Sequence, residues 1–70
     1  GDYAKAIELY RLALTKPGVD ADLANLRLGI ALARSGDRAG ATTAFNAVKG
    51  ARAGIAKMWL LYLQTPATAA

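Results

Sequence analysis

A Gly-Asp break inside residues 22–48 restricts the possible folds of this chain more than any other feature. Apolar residues recur every three or four positions on both sides of Gly36-Asp37, which predicts two helices. The glycine favours the left-handed conformation that ends a helix, and the aspartate can cap the next one. Because small residues, Gly29 and Ala41, lie inside the two helices, we predict a closely packed antiparallel pair.

The same pattern also occurs at the start of the chain, 35 residues earlier. A fixed offset of this size is typical of stacked helical repeats. The matched positions are Gly1-Asp2 with Gly36-Asp37, Ala6 with Ala41, and Tyr10 with Phe45.

These residues resemble the tetratricopeptide repeat (TPR), whose pattern is Trp-x-x-Leu-Gly-x-x-Tyr, a Gly-Asp-Tyr turn and Ala-x-x-x-Phe/Tyr. Asn25 and Leu32 depart from the family's Trp and Tyr. The resemblance implies an all-α fold in which antiparallel helix hairpins stack as a solenoid. The positions that carry it are Asn25-x-x-Leu28-Gly29-x-x-Leu32, Gly36-Asp37 and Ala41-x-x-x-Phe45, preceded by Gly1-Asp2-Tyr3-x-x-Ala6-Ile7-x-x-Tyr10.

Apolar spacing, caps and helix breakers predict about four helices. Asp2, Asp20 and Asp37 are the expected N-caps. The predicted helices span 2–16, 20–35, 38–48 and 52–64.

We interpret residues 1–64 as one TPR-like helical repeat domain. It would contain the second helix of one repeat, a full repeat over 21–50 and a capping helix over 52–64. Residues 65–70 are predicted to be a flexible tail. Because the chain opens on a turn and the second helix of a pair, we expect it to be a fragment of a longer TPR protein.

Composition limits the chemistry and the compartment. The chain has no histidine and no cysteine, so it lacks the commonest general bases, nucleophiles and transition-metal ligands. We therefore expect no enzyme activity, no cofactor and no metal, and we interpret Asp20 and Asp22 as helix-capping residues.

The alanine-rich, cysteine-free composition is interpreted as bacterial, which leaves the cytoplasm or the periplasm as the compartment. No apolar run approaches the roughly 20 residues of a membrane-spanning helix.

The predicted helix 20–35 is apolar on two sides, although a surface helix normally needs only one apolar stripe. Its second stripe therefore requires a partner, which could be the next helix, a second copy of the chain or a ligand. In the family that the chain resembles, the first helices of successive repeats line a concave groove that binds peptides. The resemblance implies that the corresponding groove positions in this chain are Leu23, Leu26, Arg27, Ile30, Ala33 and Arg34, with Lys57, Leu60, Leu61 and Gln64 from the last helix.

The predicted function is a protein–protein interaction scaffold that binds a partner peptide or segment in an apolar groove with basic edges. The alternative is self-assembly into a homo-oligomer through the unpaired first helix and Leu60-Leu61. Binding to nucleic acid or to an anionic membrane, suggested by the net charge of +4, is the weakest of the three because the basic residues are spread along the chain.

Overall fold

The computed structural model describes residues 2–64, which form four α-helices and a 3₁₀ turn and contain no β-strand. The prediction of an all-α chain is therefore confirmed. The predicted tail at 65–70 lies outside the described residues. The helices are α1 (Tyr3–Ala13), α2 (Ala21–Ser35), α3 (Arg38–Asn46) and α4 (Ala53–Gln64), with the 3₁₀ turn at Gly50–Arg52.

The three predicted N-caps are confirmed. Each aspartate side chain accepts a hydrogen bond from the backbone N–H three residues further on, which satisfies an otherwise unpaired donor of the first helical turn. The break at Gly36 is also confirmed, since its φ of +97° is left-handed. The caps are Asp2 to Lys5 at 3.1 Å, Asp20 to Leu23 at 3.1 Å and Asp37 to Gly40 at 2.8 Å.

Two helices end earlier than predicted. The first ends at Ala13 rather than at residue 16, because the N–H groups of Thr15 and Lys16 bond to carbonyls three residues back, in the tighter 3₁₀ pattern. Pro17 also disfavours a helical conformation at the residue before it.

The third helix ends at Asn46 rather than at residue 48 for a similar reason. The N–H groups of Ala47 and Val48 bond to the carbonyls of Ala44 and Phe45, again three residues back. The backbone then extends at Lys49 and turns at Gly50, whose φ is +68°. The last helix follows the 3₁₀ turn and begins at residue 53 instead of 52.

Each helix packs against the next one along the chain, and α2 also contacts α4 and the 3₁₀ turn. The arrangement is flat, with Cα extents of 42 × 27 × 16 Å. The core lies mainly between α2 and α3, where the ring of Phe45 is 1% exposed and covers Gly29. Its other apolar members are Ala24, Leu26, Leu28, Ala31, Leu32, Ala41, Ala44, Val48 and Ala56.

The second apolar stripe of α2 is largely covered within the chain itself. Leu26 is buried in the core, while Leu23, Ile30 and Ala33 are half-buried. Of the partners that the sequence left open for this stripe, neighbouring elements of the same chain therefore supply much of the cover. The reason is that α2 touches α4 and the 3₁₀ turn in addition to its two sequence neighbours.

Candidate functional site

The position of α4 is set by one stripe of its side chains. Ala56 is buried, and Trp59, Leu60 and Leu63 pack against the core. The Trp59 ring stacks on Phe45 with centroids 5.7 Å apart and an interplanar angle of 17°. The contact therefore fixes the face of α4 that is turned towards α3.

A hydrogen bond between α3 and α4 adds to this packing. The Arg38 guanidinium, at the first residue of α3, donates through Nη2 to the carbonyl oxygen of Leu63 at 2.7 Å. Because carbonyls in the last turn of a helix have no partner within the helix, this bond satisfies one of them. It joins the beginning of α3 to the end of α4.

The outer face of α4 is apolar and exposed. Met58 is 69% exposed, and Leu61 and Tyr62 are both 66% exposed. Tyr62 meets Trp59 edge-on, with ring centroids 5.9 Å apart and planes at 85°. Together with Ile55, these side chains form a continuous apolar surface on one short helix.

The part of this surface next to α2 borders an open cleft of about 570 Å³, which we call the α2–α4 cleft. Its walls are apolar except for one arginine. Its lining residues are Ala33 and Arg34 from α2 and Met58, Trp59 and Tyr62 from α4.

A smaller hollow of about 240 Å³ lies on the other side of Arg34, between α1 and α2. Two half-buried tyrosines from α1 form part of its wall. Since Arg34 borders both spaces, the hollow and the α2–α4 cleft meet at this side chain. The hollow is lined by Tyr3, Ala6, Tyr10, Arg27, Ile30, Ala31 and Arg34.

The predicted groove residues on α2 divide into four groups. Ala33 and Arg34 line the α2–α4 cleft, while Arg27 and Ile30 line the α1–α2 hollow. Leu26 is in the core, so its side chain is not available on the surface. Leu23 is half-buried and borders neither space.

The predicted groove residues on α4 lie elsewhere. Leu60 packs against the core, and Lys57, Leu61 and Gln64 are exposed but do not line the cleft. Their spacing of four and three residues aligns them along one side of α4, next to Met58 but outside the lining of the cleft. The cleft lining adds Met58, Trp59 and Tyr62, which the sequence prediction did not include. The only available signal was the apolar run 58–63, which does not reveal which side of α4 faces α2.

The electrostatics of the surface are basic. Arg27 and Arg34 are exposed and make no ion pair within residues 2–64. The same part of the chain contains no group of three or more His, Cys, Asp or Glu that could hold a metal ion. No helix in it is both long enough and apolar enough to cross a membrane. The candidate site therefore consists of apolar side chains around the α2–α4 cleft and an exposed arginine, Arg34, at its edge.

No protein-family model matches this chain, and neither the curated proteins nor the solved structures include a significant match.

Proposed function

We propose that this chain is a TPR-like helical module that binds a segment of a partner protein in the α2–α4 cleft, without catalysing a reaction. The observation that carries the proposal is the exposed apolar face of α4 beside the cleft. Met58 and Tyr62 are each about two-thirds exposed next to the half-buried Trp59. Contiguous exposed apolar surface commonly marks an interaction site, and aromatic residues and methionine are enriched in interfaces.

The chemistry of the chain supports a binding role. It has no histidine or cysteine to act as a base or nucleophile. Four of its five carboxylates accept hydrogen bonds from backbone N–H groups at helix and turn starts. The cleft itself offers apolar walls and one guanidinium, which suit recognition of a side chain.

The proposal can be tested with a randomised peptide display library as the probe and the 70-residue chain as bait. We expect the chain to enrich peptides and the double variant Met58→Gln, Tyr62→Gln to lose them, because it keeps the fold but makes the cleft wall polar. Circular dichroism would verify that each bait is folded.

Leu61→Gln is the matched control, because Leu61 is equally exposed on the same helix but lies outside the cleft. Peptide binding that is kept by Leu61→Gln and lost in the double variant supports the cleft as the binding site. Binding that is lost with Leu61→Gln and kept by the double variant would instead support the face shared by Lys57, Leu61 and Gln64. Enrichment of no peptide by the unaltered chain would refute the proposed function.

Self-association is a second candidate function. It is favoured by the four exposed apolar side chains of α4, since a second copy could cover them with the same helix. Sedimentation velocity of the unaltered chain and of the Met58, Tyr62 double variant distinguishes the two. A dimer that dissociates in the variant would assign the surface to assembly.

A further inference from the structure

The distribution of acidic residues within the chain bears on what the α2–α4 cleft can bind. Four of the five Asp and Glu side chains are occupied, because Asp2, Asp20, Asp22 and Asp37 each accept a backbone N–H. Asp20 also pairs with Arg52 at 3.4 Å. Glu8 is the remaining carboxylate, and it lies on α1. Within residues 2–64, no carboxylate forms an ion pair with the cation that borders the cleft.

This cation is Arg34, which lies between the two spaces on the surface. It lies in the last turn of α2 and borders the α2–α4 cleft on one side and the α1–α2 hollow on the other. A guanidinium binds a carboxylate through two parallel hydrogen bonds, which gives direction as well as affinity. An incoming carboxylate at Arg34 would thus lie directly beside the apolar walls of the cleft.

We propose that the partner of this surface is an acidic protein segment that places an apolar side chain in the α2–α4 cleft and an Asp or Glu carboxylate on Arg34. This inference rests on the proposed function and specifies the chemistry of its ligand. The apolar side chain contacts Met58, Trp59 and Tyr62, and the carboxylate neutralises the arginine at their edge.

Arg27 extends the recognition pattern. It lies seven residues before Arg34 on α2, which corresponds to about 10.5 Å along the helix axis. Both arginines border the α1–α2 hollow. A second carboxylate in the partner would reach Arg27 if it lay about three residues away in an extended segment, or about seven residues away in a helical one.

A second copy of the chain fits this surface less well. Apart from Glu8, every Asp or Glu side chain that it could offer to Arg34 already accepts a backbone N–H at the start of a helix or turn, which restricts how a guanidinium can approach it. Residues 65–70 contain no Asp or Glu either. Two copies that both carry a net charge of +4 also repel each other.

A nucleic-acid strand also fits less well. Strand binding uses a row of cations that follows the phosphates, together with stacking aromatics. The α4 wall of the cleft has aromatic rings but no cation, since Lys57 lies outside the lining of the cleft. A single arginine beside the apolar walls of the cleft better matches a protein segment that carries one carboxylate next to one apolar side chain.

The test again uses the randomised peptide display library, now with four folded baits. These are the unaltered chain, Arg34→Met, Arg34→Lys and the control Arg11→Met, which removes an exposed arginine outside both spaces. We expect the unaltered chain and Arg11→Met to enrich peptides that pair Asp or Glu with a nearby apolar residue. Arg34→Met should lose the acidic preference and bind a selected peptide about tenfold more weakly, while Arg34→Lys retains part of it.

Replacing the acidic residue of a selected peptide by Gln or Asn should weaken binding to the unaltered chain and leave Arg34→Met unaffected. Peptides enriched without an acidic preference, or with the same preference in Arg34→Met, would overturn this inference while the proposed function stands. Enrichment of no peptide refutes both. Two other results would also contradict the inference. If a single-stranded oligouridylate binds more tightly than the selected peptides and its binding depends on Arg34, the surface binds nucleic acid. If the chain self-associates through this surface, its ligand is a second copy.

Discussion

At the scale of single residues, the contact between Gly29 and Phe45 limits how α2 and α3 can pack. A Cβ built on Gly29 would lie 2.6–2.8 Å from three carbons of the Phe45 ring, closer than packed carbon atoms approach each other. The ring cannot easily move aside, because it is 1% exposed and its outer face stacks on Trp59. One hydrogen atom in place of a methyl group therefore permits the close approach of the two helices.

Gly29→Ala is expected to destabilise the chain. Overpacking a core typically costs about 1–3 kcal/mol, and the better helix propensity of alanine offsets at most about 1 kcal/mol of it. Each 1 kcal/mol lowers the melting temperature of a domain of this size by about 4–8 °C. Thermal unfolding followed by circular dichroism measures the shift.

Gly54→Ala is the matched control, because a Cβ at this exposed position of α4 meets nothing within 4 Å. It should stabilise the chain by about 0.4–1 kcal/mol. Equal effects of the two substitutions would contradict the observed packing of Phe45 over Gly29.

At the scale of elements, the start of α2 is linked to the connection between α3 and α4. The Asp22 carboxylate accepts the backbone N–H of Lys49, 27 residues away, at 3.0 Å. Beside it, Arg52 of the 3₁₀ turn pairs with Asp20 at 3.4 Å, and the two side chains are 42% and 51% exposed. Surface pairs of this kind contribute little to stability, so the hydrogen bond from Lys49 is the more important link.

We expect Asp22→Ala to lower the free energy of unfolding by about 1 kcal/mol, the usual contribution of one hydrogen bond. The amide of Lys49 should then exchange with solvent faster. Asp22→Asn keeps a side-chain oxygen as acceptor and should preserve most of the protection. Hydrogen exchange measured by NMR compares the two, and unchanged exchange in Asp22→Ala would argue against the link.

At the scale of the whole molecule, buried apolar surface is concentrated in the central hairpin. Among residues 2–64, every buried apolar residue except Ala56 lies between 24 and 48. The outer helices are covered less completely, since α1 has no buried residue and α4 has one. Segments with fewer buried contacts open at lower free energy than the rest of a protein.

Native-state hydrogen exchange should therefore be slowest in α2 and α3 and faster in α1 and α4. Trp59, the single tryptophan, provides a second probe, because its fluorescence reports on the contact between α4 and Phe45. We expect its emission to change at a lower urea concentration than the ellipticity of the chain as a whole. Equal protection in all four helices and coincident transitions would show that the chain opens as one unit.

The local features of this chain could be predicted from its sequence because each depends on a few neighbouring residues. The caps at Asp2, Asp20 and Asp37 and the left-handed break at Gly36 follow from short-range rules, and the structure contains all four. The inward face of α3 also follows from its 3.6-residue period. Helix ends were less predictable, because 3₁₀ bonds at Thr15 and elsewhere compete with α-helical ones over only one or two residues.

The location of the candidate surface depended on the tertiary structure. Periodicity places Met58 and Tyr62 on one face of α4, but it does not define the rotation of α4 relative to α2. That rotation results from the stack of Trp59 on Phe45 and from the bond between Arg38 and the carbonyl of Leu63. Helix propensity and capping are encoded within a few residues of sequence, whereas the faces that meet across two helices are decided by packing between distant residues.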